Sequence, residues 1–289
     1  MASGKLMALA SCARFFKIVL VGLEMKKPFS FVCRSILASI ALTQALATSS
    51  AQPAPVQSVP TPVYGVLSLI GDKLNIVIAQ TQTGTRLDIN QRDSVDIDNA
   101  VFDNAAVSAT ATAVRKIDPK AELAAINTRS AVLFEKQRSL FAQSGDTISM
   151  PGAIRDALKA QSATHLFLIT KRRDDANAQF TDGSSDGKGR LEGLGFYLDG
   201  SMQTKVSQTG ASGRGFVAPL VYIDVALIEV ASSRVIKKEK ITVSNPVSGG
   251  AAEKDIGNPW AALSSSEKVR LVDFLVRREI ERVVPELMK

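Results

Sequence analysis

The string Asp182-Gly183-Ser184-Ser185-Asp186-Gly187 puts oxygen donors at alternate positions and a glycine where a tight turn needs one. A calcium loop opens this way, because a hard cation takes roughly six to eight oxygen ligands that the chain must bring round it. The bidentate acid expected at the twelfth position is missing: Gly193 stands there, and Glu192 comes one residue early. Asp182, Ser184, Asp186 and Glu192 are the candidate metal ligands. The plain alternative is a mobile polar loop.

The same string also matches the nucleophile-elbow pattern around Ser185. That chemistry requires an apolar strand before the serine, a helix after it and a histidine further along. Here polar Asn177 to Asp182 precede, Lys188-Gly189-Arg190 follow, and the only histidine, His165, comes earlier. His165 has no second His or Cys in the mature chain with which to bind a metal. As a general base it would need a nucleophile beside it. Within the apolar run Thr164 to Thr170 it reads as a structural residue. No Walker A string, GxGxxG or HExxH occurs. A Ser–Lys hydrolase needs neither motif, so a serine-based site stays open. No catalytic residue and no cofactor is assigned.

Residues 25–51 hold the clearest functional signal. Lys26, Lys27 and Arg34 precede a short apolar run, Ser35 to Leu42. Two small-residue sites, Ala45-Leu46-Ala47 and Ser49-Ser50-Ala51, follow it. This is the layout of a secretory signal peptide. The run is far shorter than the ~20 residues of a membrane span. Cleavage near Ala47 or Ala51 and a periplasmic or secreted location are expected. Residues 1–24 carry Lys5, Arg14 and Lys17 among apolar residues and read as an over-extended start ahead of Met25. Leu9-Ala10-Ser11-Cys12 has the form of a lipoprotein box, but its apolar run is too short to serve.

The leader changes what the composition means. The chain has a formal charge of +7. Residues 1–51 hold six of its 35 Lys and Arg and one of its 28 Asp and Glu. The remainder has 29 basic and 27 acidic residues, a net of +2. No nucleic-acid partner is expected from that balance. Both cysteines, Cys12 and Cys33, also lie in the leader. The mature chain therefore has no disulfide or thiolate, and its core must hold it together.

The elements that would position any site begin after a Pro/Ser/Thr/Gln linker over 52–62. Residues 63–289 read as a single α/β domain, with α+β possible: a mixed sheet with long antiparallel hairpins and helices packed on it. Val66 to Ile70 and Leu74 to Ala79 flank Gly71-Asp72-Lys73, the pattern of a hairpin. A third strand is expected over 86–89. A helix over 98–117 has Asp98 or Asn99 as N-cap, and Pro119 beyond its end. Short elements follow: a strand over 122–127, a helix over 131–141, and a helix over 151–161 with Pro at its first position. The run 164–170 suits a strand buried on both faces. A Gly/Asp/Ser-rich segment spans 174–215, with a strand or hairpin arm available at 191–205. Residues 216–230 and 234–243 make a second hairpin, and Lys237-Lys238-Glu239-Lys240 marks an outer or edge strand. Ser264-Ser265-Ser266-Glu267 is a capping box, starting a helix that Pro285 should stop.

Three features resemble a group of bacterial envelope domains, the curli-secretion-subunit-like, penicillin-binding-protein-activator-like and TolB amino-terminal-like families. Gln161 to Ile169 is similar to their helix end, turn and buried strand. Tyr222 to Ile236 is similar to their strand–turn–strand, with Ser232-Ser233 in place of Thr-Gly. A helix closes the domain. The resemblance implies a non-catalytic accessory or assembly role with another envelope protein as partner, and no stable membrane span after cleavage. The alternatives are an exported serine-based hydrolase and a weak calcium or small-ligand binder.

Overall fold

The computed structural model describes residues 61–80, 88–205, 212–248, 260 and 263–289. The expected start at 1–24, the leader at 25–51 and the linker up to residue 60 lie outside the described residues. In chain order the elements are β1 (Val63–Leu69), β2 (Lys73–Ile78), β3 (Gln91–Asp96), α1 (Val101–Ile117), β4 (Glu122–Ile126) and α2 (Ala131–Lys136). A 3-10 turn (Gln137–Leu140), α3 (Gly152–Ala160), β5 (His165–Lys171), β6 (Arg173–Asp175), β7 (Ala178–Gln179) and β8 (Ser185–Asp186) follow. The chain ends with β9 (Arg190–Lys205), β10 (Ser212–Glu229), β11 (Arg234–Ser244), β12 (Val247–Ser248) and α4 (Ser265–Leu287). This is an α/β fold: a mixed sheet with helices packed on it.

The expected hairpin around Gly71 does not form. β1 pairs in parallel with β4 on one edge and β5 on the other. β2 pairs antiparallel with β3 and parallel with β9. The reason is Asp103 on α1. Its Oδ1 accepts from Ser68 Oγ at 2.6 Å and from the backbone N–H groups of Ile70 and Gly71 at 3.0 and 3.2 Å. Donors that a hairpin turn would use internally are taken by the helix instead. Gly71 is required here by proximity: a Cβ on it would sit 2.6 Å from Asp103 Oδ2.

The sheet has a simple plan once its longest strand, β10, is followed. Leu220 to Tyr222 pair with β9 on one edge and with β11 on the other. Ile223 to Glu229 pair with β5 and, again, with β11. A strand residue has one neighbour per edge, so β5 and β9 share an edge of β10 and lie end to end. β1 and β2, which pair with β5 and β9 respectively, do the same in the next row. The order across the sheet is thus β11, β10, the β5–β9 line, the β1–β2 line, and outermost β4 and β3. Residues 172–192 leave the β5–β9 line and return to it. Gly193 marks the return, with φ of 66° and the Lys171 side chain 3.2 Å from where a Cβ would stand.

Alternation along the strands builds two faces. On one, Val66, Phe167, Ile169, Leu194, Phe196, Val221, Ile223 and Val225 pack against Phe102, Ala105, Ala106 and Ala109 of α1 and Val272, Val276 and Ile280 of α4. The opposite face has two separate coverings. Leu67, Leu69, Leu166, Leu168, Ala226 and Ile228 lie under Leu140, Ile154 and Leu158. Val77, Tyr197, Phe216, Ala218, Leu220 and Tyr222 lie under Ala178, Phe180 and Leu191 of the 172–192 excursion.

Several element ends differ from expectation. A strand runs over 91–96; of the stretch expected to form one, 86–89, residues 86 and 87 lie outside the described residues, and 88 and 89 are not in a strand. α1 has Ala100 as N-cap with no side-chain cap bond, and Asp103 in its first turn faces the strand break rather than the helix end. The helix expected over 131–141 gives way to a 3-10 turn after Lys136. Pro151 caps α3 instead of opening it. The capping box of Ser264 and Glu267 is formed, but α4 runs through Pro285 to Leu287, because Val284 and Leu287 are buried and hold the last turn down. Of its two apolar lines, Val272, Val276, Ile280 and Val283 are buried, whereas Phe274 is 57% exposed. The described part of the 174–215 segment carries most of β6, then β7, β8, all of β9 and the start of β10. No helix among the described residues is long and apolar enough to cross a membrane.

Candidate functional site

The two coverings of the second face leave a gap between them. It forms a cleft of about 400 Å³, at the level where both central lines of strands are interrupted. The break after β1 supplies Asp72; β2 supplies Lys73, Asn75 and Val77; β3 supplies Arg92. Phe134, Glu135, Gln137 and Arg138 come from the helical side. Lys171 ends β5, and Arg173, Arg190 and Glu192 come from the excursion.

Polar contacts tie these parts together. The Lys171 side chain is 9% exposed and its ammonium is paired with Asp72. The Lys171 backbone N–H donates to Gln137 Oε1 at 2.7 Å, and Gln137 Nε2 donates to the Phe134 carbonyl at 2.6 Å. That fixes the helical cover to the end of β5. Arg138 Nη2 reaches across to Glu192 Oε1 at 2.6 Å. Asn75 Nδ2 donates to the Glu192 carbonyl at 2.7 Å. Arg92 Nη2 and Arg173 Nη2 converge on one oxygen, Asp88 Oδ2, at 2.5 and 3.3 Å. Burial pushes the Asp88 carboxyl up, but the two guanidiniums outweigh it and hold the group below the ordinary carboxylate range.

The excursion is held down by two tyrosines. Tyr222 Oη accepts from the Asn177 N–H at 3.0 Å and donates to the Asp175 carbonyl at 3.3 Å. Tyr197 Oη accepts from the Lys188 N–H at 3.0 Å. Burial raises both phenols, Tyr197 to about 12. Phe180 packs edge-on against Phe216, with ring centres 5.1 Å apart.

The candidate metal ligands are split between two places. Asp182 and Ser184 form the turn between β7 and β8, where Asp182 Oδ1 accepts from Ser184 N and Oγ at 2.9 and 2.6 Å. Those bonds hold the exposed Asp182 carboxyl below its usual range. Asp186 Oδ1 accepts from the Gly187 N–H at 2.8 Å. Glu192 is in the cleft on Arg138. No group of three or more His, Cys, Asp or Glu placed to hold a metal ion occurs among the described residues.

Ser185 pairs with Gln179 in the β7–β8 ladder, so it occupies a strand and no elbow. His165 opens β5. Its Nδ1 is 2.9 Å from Thr164 Oγ1 and its ring centre is 5.4 Å from that of Tyr64. A surface pocket of about 490 Å³ gathers Lys159, Ser162, Thr164, His165 and Glu229. Thr164 Oγ1 is already engaged with the backbone of Val63. Ser162 makes no side-chain hydrogen bond to Lys159 or His165 among the described residues.

Apart from Glu192, the cleft residues are not legible in the sequence, because they come from five separate segments. One signal was present: Lys171-Arg172-Arg173 directly follows the apolar run of β5. Three charges at the end of a buried strand mark a place where the chain leaves the core.

No family model matches the chain, and no curated protein does. Solved structures offer distant similarity. A Xanthomonas campestris protein from a family of unknown function is 9% identical over 77% of this chain and 81% of its own, with a TM-score of 0.34. A Helicobacter pylori protein, described as a homolog of the neuraminyllactose-binding hemagglutinin, is 9% identical over 81% and 91%, with a TM-score of 0.31. A hypothetical protein from Chlamydia trachomatis is 12% identical over 78% and 96%, with a TM-score of 0.28. The likeness to the curli-secretion-subunit-like, penicillin-binding-protein-activator-like and TolB amino-terminal-like families rests on sequence pattern alone.

Proposed function

We propose that this chain is an exported, non-catalytic accessory protein of the cell envelope that works by binding, with the cleft as its recognition site. The observation that carries this reading is the make-up of the cleft. Its described lining is rich in fixed charges and amide groups and includes no Ser, Thr, Cys, His or Tyr. Such a surface suits recognition, and it presents no hydroxyl, thiol or imidazole to act as a nucleophile or its base. Export is supported by the basic start, apolar run and small-residue sites of residues 25–51. The partner is another envelope protein. Arg138 is a suitable probe, since it spans the cleft to Glu192 from a side chain that is half exposed. Cross-linking in envelope fractions should capture a defined partner with the native chain and lose it with Arg138→Glu. The same captured set from both chains would refute the reading.

A second reading has one observation behind it. Lys159, Ser162 and His165 share the pocket at the start of β5. Covalent labelling by a fluorophosphonate, lost on Ser162→Ala, would move the function to a serine-based hydrolase. Calcium binding at the β7–β8 turn is tested by melting with and without millimolar calcium; no shift removes it.

A further inference from the structure

We propose that the cleft binds a small oxyanion, a carboxylate or phosphate group, held by Lys73 and the Arg92–Arg173 pair. This rests on the reading of the cleft as a recognition site and names its ligand chemistry.

The charge of the lining is the first reason. Lys73, Arg92, Arg138, Lys171, Arg173 and Arg190 face only three acids, Asp72, Glu135 and Glu192. Adding the acids outside the lining that pair with its arginines, Asp88 with Arg92 and Arg173 and the exposed Asp175 with Arg190, still leaves an excess of one positive charge. A concave, partly desolvated wall concentrates such a field on an incoming anion.

The distribution of partners is the second. Lys171 is matched by Asp72, and Arg138 by Glu192. Lys73 is half-buried and has no carboxylate partner among the described residues. Arg173 makes a single long contact, 3.3 Å to Asp88. A guanidinium has five N–H donors, so most of its capacity is unused.

The third is a template within the site. Arg92 and Arg173 already share one carboxylate oxygen, that of Asp88. Two guanidiniums at that spacing suit the planar, several-oxygen geometry of a carboxylate or phosphate. Glu135 is the counterweight: its carboxylate has no partner among the described residues, and it limits how much negative charge the cleft will accept.

Titration calorimetry on the purified chain at low salt tests this with two probes, inorganic phosphate and succinate. Saturable binding of either supports the proposal, and the one preferred identifies the source of the oxyanion. Lys73→Gln and Arg173→Gln should each weaken binding about fivefold or more, whereas Lys120→Gln, on an exposed turn, should not. Raising salt from about 50 to about 200 mM should weaken it further. No saturable binding of either probe overturns the proposal. So does binding that is equal in all variants, which would be an adventitious ion only. If both anions fail while Arg138→Glu still loses its partner, the oxyanion is wrong and the recognition site stands.

Discussion

Lys171 and Gly193 pair with neighbouring residues of β10, Ile223 and Tyr222. The chain therefore leaves the sheet after Lys171, makes an excursion, and resumes on the same line. The Arg172 N–H to the Tyr222 carbonyl and the Gly193 N–H to the Arg172 carbonyl close the junction, at 2.9 and 3.3 Å. The sheet is continuous across the excursion, and the excursion serves to wall the cleft.

The excursion should be separable from the rest of the fold by one hydroxyl. Tyr222→Phe keeps the ring in the core but removes the acceptor of Asn177 and the donor to Asp175. The loss should be about 1–2 kcal/mol, felt locally. Trypsin should cut faster at Arg173, Lys188 or Arg190, while the melting temperature falls by only a few degrees. Cleavage spread evenly over the chain would show that the excursion and sheet unfold together.

Asp103 gives a prediction with a definite sign in pH. Burial raises its carboxyl pKa, against the bonds from Ser68, Ile70 and Gly71, and nearby Asp72 adds to the rise. An acid raised on folding binds more protons in the native state than in the unfolded one between the two values. Stability contributed by this group therefore falls as pH climbs from the unfolded value near 3.8 through the raised folded one. Asp103→Asn keeps an acceptor at Oδ1 and lacks the charge. It should gain on the native chain as pH rises from about 4 to about 7. Asp103→Ala orphans three donors and should lose about 2–4 kcal/mol throughout. Denaturant melts across that range check both; a native advantage that grows with pH would contradict the assignment.

The leader makes a prediction independent of the cleft. If residues 25–51 are a signal peptide, protein recovered from outside the cytoplasm should begin at Thr48 or Gln52, following Ala47 or Ala51. Intact mass and amino-terminal sequencing read this directly. Replacing Ala45 and Ala47 by bulky residues should shift or block cleavage at the first site. A protein that retains Cys33 would contradict the reading and restore a thiol to the mature chain.

How far the sequence led depended on how local each feature was. The capping box of Ser264 and Glu267, the β10–β11 hairpin at Ala231-Ser232-Ser233 and the buried run of β5 involve residues close in the chain, and all three are found as read. The Gly71 break was misread because its partner, Asp103, is thirty-two positions away on a helix. Nothing in Gly-Asp-Lys separates a hairpin turn from a break in a straight strand. The cleft was hidden for the same reason. Asp88, Arg173 and Glu192 acquire their meaning only when the excursion folds back on the sheet.

The Lys171–Asp72 pair decides whether the cleft is built on charge or tolerates it. Lys171 is nearly buried and Asp72 is one-fifth exposed, so each depends on the other for solvation lost on folding. Removing Lys171 alone, as Lys171→Met, should cost about 2 kcal/mol, because the Asp72 carboxylate loses its partner while Gln137 still receives the Lys171 backbone N–H. Asp72→Asn alone should cost a similar amount by leaving the ammonium unpaired. The double variant should recover most of the loss, since neither charge is then stranded, and a coupling of about 1 kcal/mol or more should appear in the cycle. Urea unfolding of the four chains measures it. Additive losses would mean that water already screens both groups, and that the cleft is wetter and more open at its base than the contacts of Lys171 and Gln137 imply.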